Sequence, residues 1–130
     1  MVFKRPENDF WVCSLKSSLE IVANHARAGF AQLDESVVRD HEFVLFDFLF
    51  QNGLIIEQLA LSASALLPET SLHNRHLTDT GYYFLQRFLP RWQGRLYKHT
   101  TAAKERAFLE KWYRQFVAEQ AQPGIQADRP

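Results

Sequence analysis

Arg87, Arg91, Arg95 and Lys98 recur at i, i+4, i+8 and i+11, a spacing that keeps all four within one flank of an α-helix. Such a stripe can track a phosphate backbone or grip an acidic partner, with Tyr83 and Tyr97 close enough to stack. It can equally be the solvated flank of an amphipathic helix, or the counter-charge to an acidic element of the same fold. His73 and His76 are the other candidate group. An i, i+3 histidine pair suits a metal on a helix, but on a strand the two rings point to opposite faces. With no cysteine near them and no third ligand close in sequence, neither a metal nor a cofactor is expected. Cys13 is the one cysteine, and a nucleophile needs a base and an orienting group that the sequence does not place beside it. It reads as a small buried hydrophobe. There is no nucleophile elbow, no phosphate-binding glycine loop and no H-E-x-x-H helix, so the chain is not expected to be an enzyme.

The arginine stripe needs a helix, and the residues before it supply one. Thr78 is a good N-cap, and Leu77 can pack on Tyr82 as a hydrophobic staple. Phe84, Phe88, Trp92 and Leu96, with Leu85 and Leu89, form an apolar stripe beside the basic one. Pro90 lies inside this helix and should kink it. Three other helices are legible. One starts at Asn8 or Asp9, presents Trp11, Val12, Leu15, Leu19, Val22 and Ala26 on one face, and ends near Ala28 and Gly29. The next is capped by Asp34 or Ser36 and ends at Asn52-Gly53. Its Phe43 to Phe50 run is apolar nearly all round, as in a helix buried on both sides or shared with another chain. The last spans about 102–120, with Phe108, Leu109, Trp112, Phe116 and Val117 inward. Residues 54–76 fit two readings. Ile56, Leu59, Ala60, Ala63 and Leu67 have helical spacing, whereas 54–56 and 72–77 look like two short strands.

The 130 residues include eleven Phe and three Trp, enough to build a core without staples. One domain is expected over 1–120, with 121–130 a flexible tail. No secretory signal and no bilayer-spanning run is apparent, and a lone cysteine fits a reducing compartment, so a cytoplasmic location with no membrane contact is expected. The formal net charge of zero hides an asymmetry. Residues 31–70 carry one basic and seven acidic side chains, net −6, while residues 71–130 carry ten basic and five acidic, net +5. These halves either attract each other within the fold or present faces of opposite sign to partners.

The run Phe50-Gln51-Asn52-Gly53-Leu54-Ile55, a ribbon-length gap, and then Leu77-Thr78-Asp79-Thr80-Gly81 opening a long helix resembles the winged-helix regulators of the MarR-like and PadR-like type, over about residues 36–118. The resemblance implies a mainly α (α+β) fold: a recognition helix, a two-stranded β-ribbon as the wing, and C-terminal dimerisation helices. The other architecture left open is an all-α five-helix bundle. On the winged-helix reading, Ser36, Arg39, His41 and Gln51 would face DNA bases, and Arg87, Arg91, Arg95 and Lys98 its phosphates. The dimer would form through Phe84, Phe88, Trp92, Phe108, Trp112 and Phe116. The wing segment SASALLPETS departs from the family in having no Gly, Arg or Lys. The helix that should read bases also carries Glu42 and Asp47, which phosphates repel, and Val44, Leu45 and Phe48, which offer bases no donor or acceptor. Those three suit a protein interface better. The expectation is therefore a non-catalytic, homodimeric protein-interaction module with regulatory character and an unknown protein partner. The alternative is a DNA-binding transcriptional regulator.

Overall fold

The computed structural model describes residues 4–27, 34–96, 98 and 100–120. Its elements run β1 (Trp11–Ser14), α1 (Leu15–Arg27), α2 (Glu35–Gln51), β2 (Ser71–His73), a single 3-10 turn (Asn74–His76), α3 (Asp79–Gln93) and α4 (Ala102–Gln120). The fold is mainly helical with one small antiparallel sheet.

The first expected helix is shorter than its pattern. Trp11 to Ser14 form a strand, paired with Ser71–His73 in antiparallel register with an irregularity between Trp11 and Cys13. Asn8 and Asp9 are not its caps. The Asp9 carboxylate accepts from the Arg75 backbone N–H at 2.9 Å, and the Asn74 side-chain amide donates to the carbonyls of Pro6 and Asn8. The helix begins instead with a reciprocal pair: Ser17 N–H donates to Ser14 Oγ at 3.1 Å, and Ser14 N–H to Ser17 Oγ at 3.0 Å. Each serine satisfies a donor that the helix start would otherwise orphan. The expected terminator Gly29 lies outside the described residues, as do Tyr97 and the 121–130 tail.

The all-round apolar helix is central, as its pattern requires. Asp34 caps α2 by accepting from Ser36 N–H. At its end Gly53 takes φ 68°, a left-handed conformation that suits glycine, and Leu54 N–H closes back on Leu49 O at 2.8 Å. Between these ends α2 packs on α1 and on α4, burying Val38, Val44, Leu45, Phe46, Phe48 and Leu49.

Residues 54–70 form neither the expected hairpin nor the expected helix. The strand 71–73 pairs with the N-terminal strand instead of a neighbour within 54–76, and only an isolated Ile55–Leu77 bridge joins the ends of that span. Among the described residues there are four α-helices, so the five-helix bundle is not formed. Short turns close at Ser62–Ala65, Ala63–Leu66 and Leu67–Thr70. The segment is held by three long-range contacts. Leu66 is fully buried, Arg39 donates to its carbonyl, and Lys16 N–H donates to Pro68 O. Periodicity cannot report such tethers, because each depends on a residue far away in sequence.

Thr78 caps α3, accepting from Gly81 N–H at 3.0 Å, and its hydroxyl also reaches Leu54 O at 3.2 Å. Thr78→Ala is expected to lower stability by about 1–2 kcal/mol, the usual cost of losing a threonine cap. Thermal unfolding should show a melting point several degrees lower; an unchanged midpoint contradicts the capping role. Pro90 is accommodated in the last turn, and Gly94 N–H donates to its carbonyl. The helix ends at Gln93, so Arg95 and Lys98 lie beyond it.

The α3 and α4 aromatics fill the core of the chain. Phe88 stacks on Trp112 with centroids 5.7 Å apart and planes at 7°, and Phe84 meets Tyr113 and Phe116 edge-on. Phe84, Phe88, Trp92, Trp112 and Phe116 are all buried and Phe108 is partly buried. The residues expected at a dimer contact therefore pack inside one protomer, because α3 and α4 close on each other and on α2.

Candidate functional site: a buried polar pair and an exposed apolar face

The expected interface positions and one of the four base-reading positions, His41, turn inward, while Ser36 and Gln51 are exposed and Arg39 is partly so. His41 is 2 % exposed, and Val44, Leu45 and Phe48 are all buried, against the expectation that they face outward. Arg39 is engaged by Glu35 at 3.1 Å as well as by the Leu66 carbonyl. Ser36 joins the Asp34 cap, and Gln51 sits against Asp47 at 3.4 Å. The physical reason is that α2 has two neighbours. A recognition helix needs one free face, and this helix has none along its middle.

The basic stripe is also committed within the chain, although not to the acidic second helix. Arg87 donates to Glu119 at 2.8 Å. Arg95 grips Glu105 with two parallel bonds of 2.9 Å, Thr100 adds a third at 2.7 Å, and the guanidinium lies 3.7 Å from the Phe108 ring centroid. Burial pushes the Glu105 carboxyl up, but the hydrogen bonds from Arg95 and Thr100 outweigh it and leave it below the usual value. Arg91 rests over the Phe88 ring at 5.2 Å. Of the four, Lys98 alone has no contact of this kind among the described residues, and it is exposed. Arg87 and Arg95 thus clamp α3 and its following turn to α4, while the acid of α2, Asp47, is met by Arg106.

Two consecutive polar residues sit in the middle of α2. Glu42 is 0 % exposed; one carboxylate oxygen accepts from Ser18 Oγ at 2.6 Å, and the other has no partner among the described residues. Burial raises its pKa to about 7, with the Ser18 bond pulling weakly the other way. Beside it the Cys13 thiol is pushed well above its ordinary value, by burial first and by repulsion from Glu42 second. That combination makes Cys13 a poor nucleophile. His41 has neither ring nitrogen hydrogen-bonded and lies within electrostatic reach of Glu105 on α4. This arrangement can hold or release a proton.

His73 and His76 lie on the strand end and the 3-10 turn, rings edge to face at 5.8 Å. His76 Nδ1 accepts from the His73 backbone N–H, and its Nε2 is 3.4 Å from Glu57. Burial holds the His76 pKa below its usual value, only partly opposed by Glu57. Asp9 is bound by Arg75 at 2.5 Å, and the Arg75 backbone N–H keeps its carboxyl low. No group of three His, Cys, Asp or Glu among the described residues is placed to hold a metal ion. The pair belongs to the latch that joins the N-terminal segment to β2.

What the sequence did not single out is the outer surface. Among the described residues, Phe10, Trp11, Ile56, Leu61, Leu67 and Val117 are the exposed large hydrophobics, and Ile56 and Leu61 are 70 % and 80 % accessible. Five of the six lie on β1 and its approach or on the irregular 54–70 segment. A groove of about 180 Å³ runs beside them, lined by Phe10, Val12, Leu77, Tyr82, Leu85 and Leu89. Another, of about 300 Å³, lies between Trp11, Glu20 and Glu69. Trp11 escaped notice because a helical pattern gave it a core to face; pairing with β2 turns it outward. Comparison with protein-family models, with curated proteins and with solved structures returns no match. No helix of the described residues is long and apolar enough to cross a membrane.

Proposed function

We propose that the chain is a non-catalytic protein-interaction module whose docking surface is the 54–70 segment together with Trp11. The observation that carries this reading is the exposure of Ile56, Leu61 and Leu67 on one tethered segment. Aliphatic side chains grouped in this way mark interaction surfaces more often than scattered ones do. The segment has no helix or strand of its own, yet Leu66, Arg39 and Lys16 hold it in place. A partner therefore meets anchors whose backbone is already ordered, which lowers the entropic cost of association. Exposed Glu57 and Glu69 give the anchors a polar rim. The winged-helix kinship rests on the Gly53-Leu54-Ile55 and Leu77-Thr78-Asp79-Thr80-Gly81 steps, and a regulatory role would follow from it. The DNA-binding alternative is less well supported, since His41 is buried, Arg39 is engaged, and Arg87 and Arg95 are paired with carboxylates.

A photo-crosslinking amino acid at position 61 tests the reading in cells. Covalent adducts to protein are expected there and not from the same label at the buried position 44. Adducts to nucleic acid alone, or none at position 61, overturn it.

A further inference from the structure

We propose that the partner is a second copy of this chain, bound head to tail, with the outer stripe of α4 in one protomer lying on the acidic, leucine-bearing seam between α1 and α2 of the next. This rests on the protein-interaction reading above and assigns the occupant of part of that surface.

The seam is defined by the tethers of the 66–69 segment, which lies between the start of α1 (Lys16 to Pro68) and the first half of α2 (Arg39 to Leu66). Exposed Leu67 follows buried Leu66 in this segment; Glu20 of α1 and Glu69 line one groove with Lys16, Glu35 of α2 shares Arg39 with the Leu66 carbonyl, and exposed Asp40 is the next residue of α2. Glu35 is paired with Arg39, but Glu20, Asp40 and Glu69 form no ion pair among the described residues. Lys16 is the other cation on this seam. The surface is net acidic with an aliphatic centre.

The complementary surface is on the same chain. Lys104, Ala107, Lys111, Arg114 and Ala118 fall at i, i+3, i+7, i+10 and i+14 of α4, one straight outward stripe. All five are exposed. None of its three cations is paired with a carboxylate among the described residues, unlike Arg106 of the same helix, which is paired with Asp47. Ala107 between Lys104 and Lys111, and Ala118 beyond Arg114, let another surface approach the helix closely, so that Leu67 can reach its backbone. A head-to-tail contact of stripe on seam leaves one stripe and one seam free at the ends of each pair, so it is heterologous and can add further copies. A net charge of zero removes the overall repulsion between copies that usually keeps like chains apart, while the separated faces still attract at short range. A nucleic-acid occupant is less well matched. Three cations spread over ten residues and flanked by Glu110 make a sparse phosphate track, and the seam would be left without a role.

Sedimentation velocity of the full chain, over a concentration series in low and high salt, provides the test. The expected result is concentration-dependent assembly beyond a dimer in low salt, reduced in high salt as screening weakens exposed charge pairs. The double variants Lys111→Glu with Arg114→Glu, and Asp40→Lys with Glu69→Lys, should each weaken self-association by about tenfold or more, as like charges replace opposite ones. An equal mixture of the two should reassociate, because each altered surface then meets its opposite. All of these side chains are exposed, and unchanged melting curves will establish that both variants fold. A monomer under every condition overturns the proposal, as does association indifferent to both reversals. Loss of heparin retention in the Lys111 and Arg114 variant without any change in sedimentation does so too, and assigns the stripe to a polyanion. Monomeric behaviour with position 61 adducts to other proteins intact removes self-association alone. Absence of those adducts as well removes the interaction reading itself.

Discussion

Glu42→Gln is expected to flatten the fall in stability between acid and mildly alkaline pH. The sign follows from where the proton sits. In the unfolded chain Glu42 titrates at its ordinary value of 4.5, whereas in the fold burial lifts it to about 7. Below the lower value both states hold the proton and the site is neutral to stability. As pH rises through this window the unfolded chain ionises while the fold keeps its proton, so stability falls. Above about 7 both forms are ionised and the penalty is complete, on the order of 3 kcal/mol at about 1.4 kcal/mol per unit. Glutamine can still accept from Ser18, but it brings two amide donors to a site whose second oxygen already lacks a partner. A pH-independent loss of about 1–3 kcal/mol for each unpaired donor is the result. The difference in unfolding free energy between variant and parent should therefore move by about 3 kcal/mol in favour of glutamine between pH 4 and pH 8. Denaturant melts at several pH values measure it. Parallel curves would show that Glu42 is ionised, or solvated, in the fold.

The same carboxyl separates what is legible in a sequence from what is not. The pattern around Phe43 to Phe50 called for a helix apolar all round, and α2 is that helix, with its cap at Asp34 and its end at Asn52-Gly53. Thr78 and the apolar stripe of α3 were equally readable, since caps and periodicity are local properties. Orientation was not. Which face of α2 meets which neighbour depends on α1 and α4 together, so His41 and Glu42, polar by type, were placed outside when both are buried. The arginine stripe shows the same limit. Its spacing was visible, but Glu105 and Glu119 reach Arg95 and Arg87 only because α4 folds back along α3. The sheet was least legible. β1 and β2 are far apart in sequence and only four and three residues long, and Trp11 and Val12 fit a helical face as well as a strand. The exposed anchors Ile56 and Leu67 have helical spacing that suggests burial. What exposes them is a set of turns fixed by tethers from Lys16 and Arg39, which no local pattern encodes.

Gly81→Ala is expected to be among the most damaging single-methyl changes in the chain. In an ordinary helix this substitution is favourable by about 1 kcal/mol, because alanine restricts the unfolded chain and glycine does not. Here the added carbon would lie 2.0 Å from the Leu54 carbonyl oxygen and 2.9 Å from its carbon. Both belong to backbone, and neither can swing aside as a side chain would. That carbonyl is fixed from two further directions, by the Thr78 N–H at 3.0 Å and the Thr78 hydroxyl at 3.2 Å. Moving it would disturb the α3 cap and the Leu54 to Ile56 return from α2 at once. The residues after Gly53 and the step from Leu77 to Gly81, widely separated in the sequence, are thus one joint, and glycine is what lets the two backbones touch. Overpacking of a well-fitted site commonly costs about 1–3 kcal/mol and more where backbone must shift. A loss of about 3 kcal/mol or more is therefore expected, a drop of roughly 10 °C in melting temperature for a domain of this size. Thr78→Ala, which removes the cap but adds no atom, should cost distinctly less. If thermal melts rank the two the other way, or if alanine at 81 raises the midpoint as helix propensity alone would have it, the joint is looser than the geometry describes.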